Sequence, residues 1–278
     1  GDKEYVVSGR KRMGKDIRIG DKIVIARAND VIPQVVKSLK ELRTGEEQII
    51  VPPTHCPACG SPTEWIGENL YCTGIDCQPQ LEAKLIHFVS RKALNIDGLG
   101  KETIKTFIDK GFISNFSDIF RLKEKETEIT QLDGFGQKSF DKMVKGIEKA
   151  KEAPLHRVLY ALSIRNIGET ASKDMSKVFG SMDEILEATK DLSTFEEKIR
   201  SIKDFGDTMT ETVVDFFTNE KNVELIRELQ SFGFTMKSEY ANNDTTDGAL
   251  AGKIFVITGK MPSGRSRDVI KEIIESNG

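Results

Sequence analysis

Four cysteines, Cys56, Cys59, Cys72 and Cys77, are the only ones in the chain, and they form C-x2-C, a twelve-residue gap and C-x4-C. Four thiolates at this spacing can close a tetrahedron around Zn2+ with no open position, which is structural rather than catalytic chemistry. Two disulfides or four unrelated thiols are the competing readings. The clustering, in a chain expected to be intracellular, favours the metal. Gly60 and Gly74 fall where the knuckle turns call for a permissive φ. His55 adjoins Cys56, but four sulfurs already suffice, so it reads as a solvated neighbour. His87 and His156 lie in helical patterns without a ligand constellation.

A second chemistry is written four times. Ile96-Asp97-Gly98-Leu99-Gly100, Leu132-Asp133-Gly134-Phe135-Gly136, Ile164-Arg165-Asn166-Ile167-Gly168 and Ile202-Lys203-Asp204-Phe205-Gly206 share one design, their leading residues 36, 32 and 38 positions apart. The residue before the second apolar position is Gly98, Gly134, Asn166 or Asp204, the types that best tolerate a left-handed conformation. Each cassette closes on a glycine and runs into a helical pattern. Such a turn offers unpaired backbone N–H groups and a partial positive charge to an anion. A phosphate fits that nest and a base edge does not, so binding is expected to be independent of base sequence.

Side chains beside the turns sharpen the expectation. Lys101 and Lys105 follow the first, Lys138 and Lys142 the second, and Arg165, Thr170, Ser172 and Lys173 flank the third. The candidate contacts are therefore Gly98, Gly100, Lys101, Gly134, Gly136, Lys138, Arg165, Gly168, Thr170, Lys173 and Gly206. The fourth cassette is followed by Asp207 and Glu211, with Lys203 its one basic residue, and is expected to serve mainly packing. A glycine-capped αα-hairpin would account for any single copy. Four copies, three with adjacent cations, point to DNA.

The repeat sets the elements that must hold these residues: about one helical hairpin per unit, in a mainly α chain. Ahead of it, Ile17-Arg18-Ile19, Lys22 to Arg27 and Val31 to Val36 read as strands around turns at Gly20-Asp21 and Asn29-Asp30, with Pro33 favouring an edge. Two or three strands are too few for an independent sheet, so they read as the end of a larger β unit. Ser238 to Gly248 is polar and aperiodic, a linker. Lys253 to Gly259 then reads as a buried strand, and Ser266-Arg267 opens a helix carrying Val269, Ile270, Ile273 and Ile274. Both ends read as truncated. With 31% charged and 38% apolar residues and no apolar run near the ~20 that a membrane span needs, no membrane role is expected. The net charge of −3 is neutral on nucleic acid, since phosphate contacts need a local stripe rather than a basic average.

This order of parts resembles the C-terminal half of bacterial NAD-dependent DNA ligase. The matching strings are Gly20-Asp21-Lys22-Ile23-Val24-Ile25 with Asp30-Val31-Ile32-Pro33, Cys56-Pro57-Ala58-Cys59-Gly60 with Tyr71-Cys72, His87 to Ala93 before the first cassette, Leu159-Tyr160-Ala161-Leu162 before the third, and Leu250-Ala251-Gly252-Lys253 through Gly259. The resemblance implies the end of an OB fold over 1–53 (1–15 atypical), a four-cysteine zinc finger over 54–80, four helix-hairpin-helix motifs over 81–237, a linker over 238–249 and the start of an α/β BRCT domain over 250–278. It also implies nicked duplex DNA as partner, gripped through the phosphate backbone, with Arg27 near the nicked strand and Thr258-Gly259 matching a BRCT phosphate-binding pair. Implied too are NAD+ and Mg2+ or Mn2+ for the parent enzyme, a monomer, and a cytoplasmic, nucleoid-associated location.

The departures are specific. No K-x-D-G motif, which carries the family's nucleotidyl-transfer lysine, occurs here, so no catalytic residue is assigned and the chain alone is expected to be inactive. Asn29 stands where glycine is usual, and Phe140 where a small residue is usual. A non-enzymatic helix-hairpin-helix module of a repair protein is the alternative, and a protein-interaction scaffold the third reading.

Overall fold

The computed structural model describes residues 4–7, 10–13, 16–28, 32–67, 69–74, 77–240, 250, 253–258, 269–270 and 273–274. The chain divides into two compact units, Gly1–Gln78 and Pro79–Gly278.

The first unit is built of two-stranded antiparallel ladders. β1 (Glu4–Val7) pairs with β2 (Arg10–Met13), a hairpin in a stretch whose sequence signals polar and basic character. β3 (Arg18–Ile19) pairs with β6 (Gln48–Ile49), and β4 (Ile23–Ala28) with β5 (Ile32–Ser38), where Pro33 faces Arg27 near the strand start. Asn29 and Asp30 lie outside the described residues. One ion cluster ties the loops together. Arg43 Nε and Nη2 donate to the two oxygens of Asp21, each at 2.7 Å, while Nη1 reaches Asp16 Oδ2 at 2.9 Å. The Arg43 guanidinium, helped by the Arg18 N–H and the Ser38 hydroxyl, holds the Asp21 carboxyl far below the usual carboxylate range. β7 (Thr63–Ile66) and β8 (Asn69–Cys72) form the last hairpin and carry the cysteine knuckle.

The second unit is helical. α1 (Gln78–Val89) leads to the first cassette and α2 (Lys101–Asp109); α3 (Asp118–Arg121), a 3-10 turn and α4 (Glu126–Thr130) lead to the second cassette and α5 (Gln137–Ala150). α6 (Leu155–Ala161) precedes the third cassette and α7 (Glu169–Val178). α8 (Met182–Ala188) and α9 (Leu192–Arg200) precede the fourth, followed by α10 (Asp207–Thr218) and α11 (Glu220–Ser231). Ile96, Leu99, Ile164, Ile167, Ile202 and Phe205 of the cassettes are all buried, so the turns anchor the core rather than merely join helices. Phe140 also enters this core.

The first two cassettes interlock. Phe135 of the second stacks on Phe107 of α2 at 5.3 Å between ring centroids. In return, Gly98 of the first lies on α5, where a Cβ would stand 3.0 Å from Met143 Cα. Gly146 of α5 meets the Asp97 backbone so closely that a Cβ there would lie 2.6 Å from the Asp97 carbonyl oxygen. Alanine is the better helix former by about 1 kcal/mol, yet Gly146→Ala is expected to lower the stability of this unit by about 1–3 kcal/mol, because a backbone neighbour cannot swing aside. The urea midpoint checks this, and an unchanged or raised midpoint would show that the two elements can part at no cost.

At the far end two expectations change. Ser238 and Tyr240 belong to the folded unit rather than to a linker: Ser238 N–H donates to Gly180 O at 2.8 Å, and the Tyr240 ring lies 5.8 Å from His156. The remainder of the expected linker, 241–249, lies outside the described residues. No strand forms over 253–258, where Ile254 is 95% exposed. An extended segment becomes a strand only when a neighbouring strand pairs its N–H and C=O groups, and the Lys253 N–H donates instead to Leu250 O at 3.1 Å, a local turn. Gly252, Gly259, Ser266 and Arg267 lie outside them, and helical turns occur at 269–270 and 273–274.

Candidate metal centre and nucleic-acid interface

The four cysteine sulfurs converge. All lie within 4.8 Å of one another, with Cys59 to Cys72 at 3.4 Å and Cys56 to Cys77 at 4.0 Å. A regular tetrahedron with metal–sulfur bonds of about 2.3 Å has edges of about 3.8 Å, so these residues fit a single ion. All four are free of disulfides. The loop that presents the first pair is closed by Cys56 N–H to Ser61 O at 2.8 Å and Gly60 N–H to Cys56 O at 2.9 Å, with Gly60 at φ +73°.

Gly74 serves differently from the expected permissive φ, since its backbone is not left-handed. Its missing side chain is what matters: a Cβ would lie 2.9 Å from Cys59 Sγ and 2.6 Å from Ser61 Oγ, and its N–H donates to Cys72 Sγ at 3.2 Å. Protons are unevenly shared. Bonds from Ser61, first its side chain and then its backbone, hold the Cys59 thiol down to about 6. Cys72, against the pull of the Gly74 N–H, is pushed up to about 12 by desolvation and the neighbouring sulfurs. His55 stays outside the cluster with its Nδ1 on Thr54 Oγ1 at 3.1 Å.

The four cassettes share one geometry. The first apolar residue's carbonyl accepts from the second's N–H at 3.2, 2.9, 3.0 and 3.1 Å in order. Gly98, Gly134, Asn166 and Asp204 stand at φ +90°, +78°, +62° and +65°, so the left-handed position lies where residue type predicts it. Gly100, Gly136, Gly168 and Gly206 are the N-caps of α2, α5, α7 and α10, at φ between −84° and −96°, with no side-chain cap. Any residue can adopt that backbone, and a Cβ on any of the four would meet nothing within 4 Å. Neither conformation nor internal packing asks for glycine here. What a glycine leaves open is close approach from outside.

The connecting helices start otherwise. Ser181, Asp191 and Asn219 cap α8, α9 and α11 with their side chains. At α6, the Leu155 N–H donates to Lys237 O at 2.8 Å.

The flanking cations are unequal. Lys101, Lys138, Arg165 and Thr170 are exposed, as is Arg27 on β4. Lys105 lies 3.6 Å from Glu82, and Lys173 lies 3.6 Å from Glu169, which also holds Lys92 at 2.9 Å. Ser172 faces the core and donates to Gly168 O at 2.9 Å, so it is structural. In the fourth cassette Asp207 pairs with Arg200 at 3.2 Å. His87 bonds the Tyr160 carbonyl at 2.7 Å. Burial first, then nearby Lys173 and Arg157, pushes His156 down to about 4, so it is neutral at pH 7.

The turns, helices and glycine N-caps define a helix-hairpin-helix protein, and the comparisons agree: the SAM-like helix-hairpin-helix tandem matches residues 90–149, and the helix-hairpin-helix motif matches residues 157–226. The chain resembles DNA ligases over nearly its whole length. It is 41% identical to the DNA ligase of Oceanobacillus iheyensis over 268 residues and 39% identical to those of Bacillus cereus and Bacillus mycoides over 270. These matches cover 95% of the chain and 39% of each relative, so the chain spans about two-fifths of their length. No helix among the described residues is long and apolar enough to cross a membrane.

Proposed function

We propose that this chain is the duplex-gripping part of a bacterial NAD-dependent DNA ligase, which joins a 3′-hydroxyl to a 5′-phosphate at single-strand nicks in replication and repair. The observation that carries this reading is the repeated helix N-terminus whose glycine is required by nothing inside the protein. The first N–H groups of each helix have no side-chain cap there, and with the helix dipole they make the arrangement that receives a phosphate. Gly100 with Lys101, Gly136 with Lys138, and Gly168 with Arg165 and Thr170 hold the backbone. Gly98 and Gly134 shape their turns. Lys173 acts more weakly because Glu169 shares it, and the fourth cassette, Gly206 included, serves packing.

The four cysteines hold Zn2+, which supplies a closed cross-link and no chemistry of its own. Arg27 adds a contact to the nicked strand from the end of an OB fold, and 250–278 opens a BRCT domain. Nucleotidyl transfer belongs to a K-x-D-G lysine that these 278 residues do not contain. NAD+ and Mg2+ or Mn2+ therefore serve the whole enzyme, which acts as a cytoplasmic, nucleoid-associated monomer.

The test is the salt dependence of binding to a nicked duplex. Three working cassettes neutralising one or two phosphates each give a log–log slope of about −3 to −5, equal for unrelated base sequences. A slope near zero, or strong dependence on base sequence, would remove the duplex-gripping role.

A further inference from the structure

α5 carries a feature that the cassettes do not account for. Lys138, Lys142, Lys145 and Lys149 recur at i, i+4, i+7 and i+11, which at 3.6 residues per turn places them within about 60° of one another around the helix. All four are exposed, while Phe140, Met143, Ile147 and Ala150 bury the opposite face, so the stripe is fixed toward solvent. The lysines form one wall of an open groove of about 450 Å3. Asp97 of the first cassette and Asn95 just before it line it as well, with Gly146 between.

Many lysines of this unit are neutralised: Lys151, Lys177 and Lys198 lie 2.8, 2.9 and 2.8 Å from carboxylates. None of the four stripe lysines has an ion pair among the described residues. Asp141, which also lines the groove, accepts instead from Gln137 at 3.0 Å. Like charges one helical turn apart repel, so the stripe is unfavourable to the helix alone and favourable beside a polyanion. Against four lysines the lining sets two aspartates, leaving a positive excess.

Length and placement select the polyanion. Eleven residues of helix rise about 16 Å, over which one strand of a duplex presents about five phosphates. The stripe begins in the first turn of α5, at the N–H groups that the second cassette exposes, and its groove is shared with the first cassette. We propose that it is a track for the phosphate backbone of duplex DNA that joins the two cassettes into one continuous contact, with Lys145 and Lys149 as binding residues. This rests on the duplex-gripping reading above.

The test is equilibrium binding of the 278-residue protein to a nicked duplex between 50 and 200 mM salt. The parent is compared with Lys145→Gln/Lys149→Gln, with the arginine pair Lys145→Arg/Lys149→Arg, and with a control pair away from the stripe, Lys123→Gln/Lys221→Gln. Removing two phosphate contacts makes the log–log slope shallower by about 1.8 and weakens binding about 30-fold at 0.15 M salt. The loss should be equal across base sequences, the thermal midpoint unchanged and the arginine pair as tight as the parent. A glutamine pair that binds with the parent's slope overturns the track and leaves the cassettes standing. An equal loss in the control pair also overturns it, since bulk charge would then suffice. A parent that does not bind duplex removes the duplex reading itself, and the track with it.

Discussion

Chelating the metal is expected to melt the cysteine knuckle while the helical unit stays folded. The knuckle has little else to stabilise it. Trp65 and Tyr71 on β7 and β8 are exposed, and Cys77 is its one fully buried side chain among the described residues. A structural zinc site contributes about 10–16 kcal/mol, comparable with the stability of a whole domain at about 5–15 kcal/mol. Without the ion, two four-residue strands remain, and an isolated hairpin is marginal in water. The helical unit has its own continuous apolar core and needs no metal. Because Trp65 is the only tryptophan in the chain, its fluorescence reports the knuckle alone, while ellipticity at the helix minimum reports the second unit. The expected result is a changed emission, new protease cleavage between Cys56 and Cys77, and unchanged helicity. Intact emission after complete metal removal would show that the hydrogen-bonded turns hold the knuckle without an ion. Cys59→Ser should reproduce the chelated state.

The second large effect is expected at the cap glycines. Gly100→Val and Gly136→Val should each weaken duplex binding about tenfold to a hundredfold, since charge-assisted hydrogen bonds of about 1.5–3 kcal/mol are blocked when a branched side chain covers the donors. These positions are informative because the fold leaves them free: the backbone is ordinary and the Cβ meets nothing. Some helix-cap stability is lost, so the thermal midpoint is followed in parallel. Gly206→Val makes the same cap change where Asp207 already repels an anion and holds Arg200. It is expected to leave affinity nearly unchanged. If all three valines weaken binding alike, the loss comes from the cap and not from a blocked phosphate.

The sequence shows much of this because its signals are local. A left-handed turn position needs a residue that tolerates it, so Gly98, Gly134, Asn166 and Asp204 are legible one at a time, and the cysteine spacing is legible as a set. What escapes is what depends on distant partners. Gly146 looks like a defect in a helix, and only the Asp97 backbone, 49 residues earlier, explains it. Ser172 resembles a phosphate ligand until its helix turns it inward to Gly168. The β1–β2 hairpin hides in a basic stretch, although Ser8-Gly9 between two four-residue runs is a recognisable turn signal. Lys145 and Lys149 stand out less because they lie beyond the first turns of their helix, although the i, i+4, i+7, i+11 spacing along α5 is itself legible.

The contact of Gly146 with Asp97 is made by main chain on main chain, and so it belongs to no side chain that could be traded for another. The first turn and the helix that follows the second turn, joined in this way, behave as the fixed jaws of a caliper. Substitutions on their outer faces can change how hard the jaws grip, but the opening between them is set by the width of a peptide backbone.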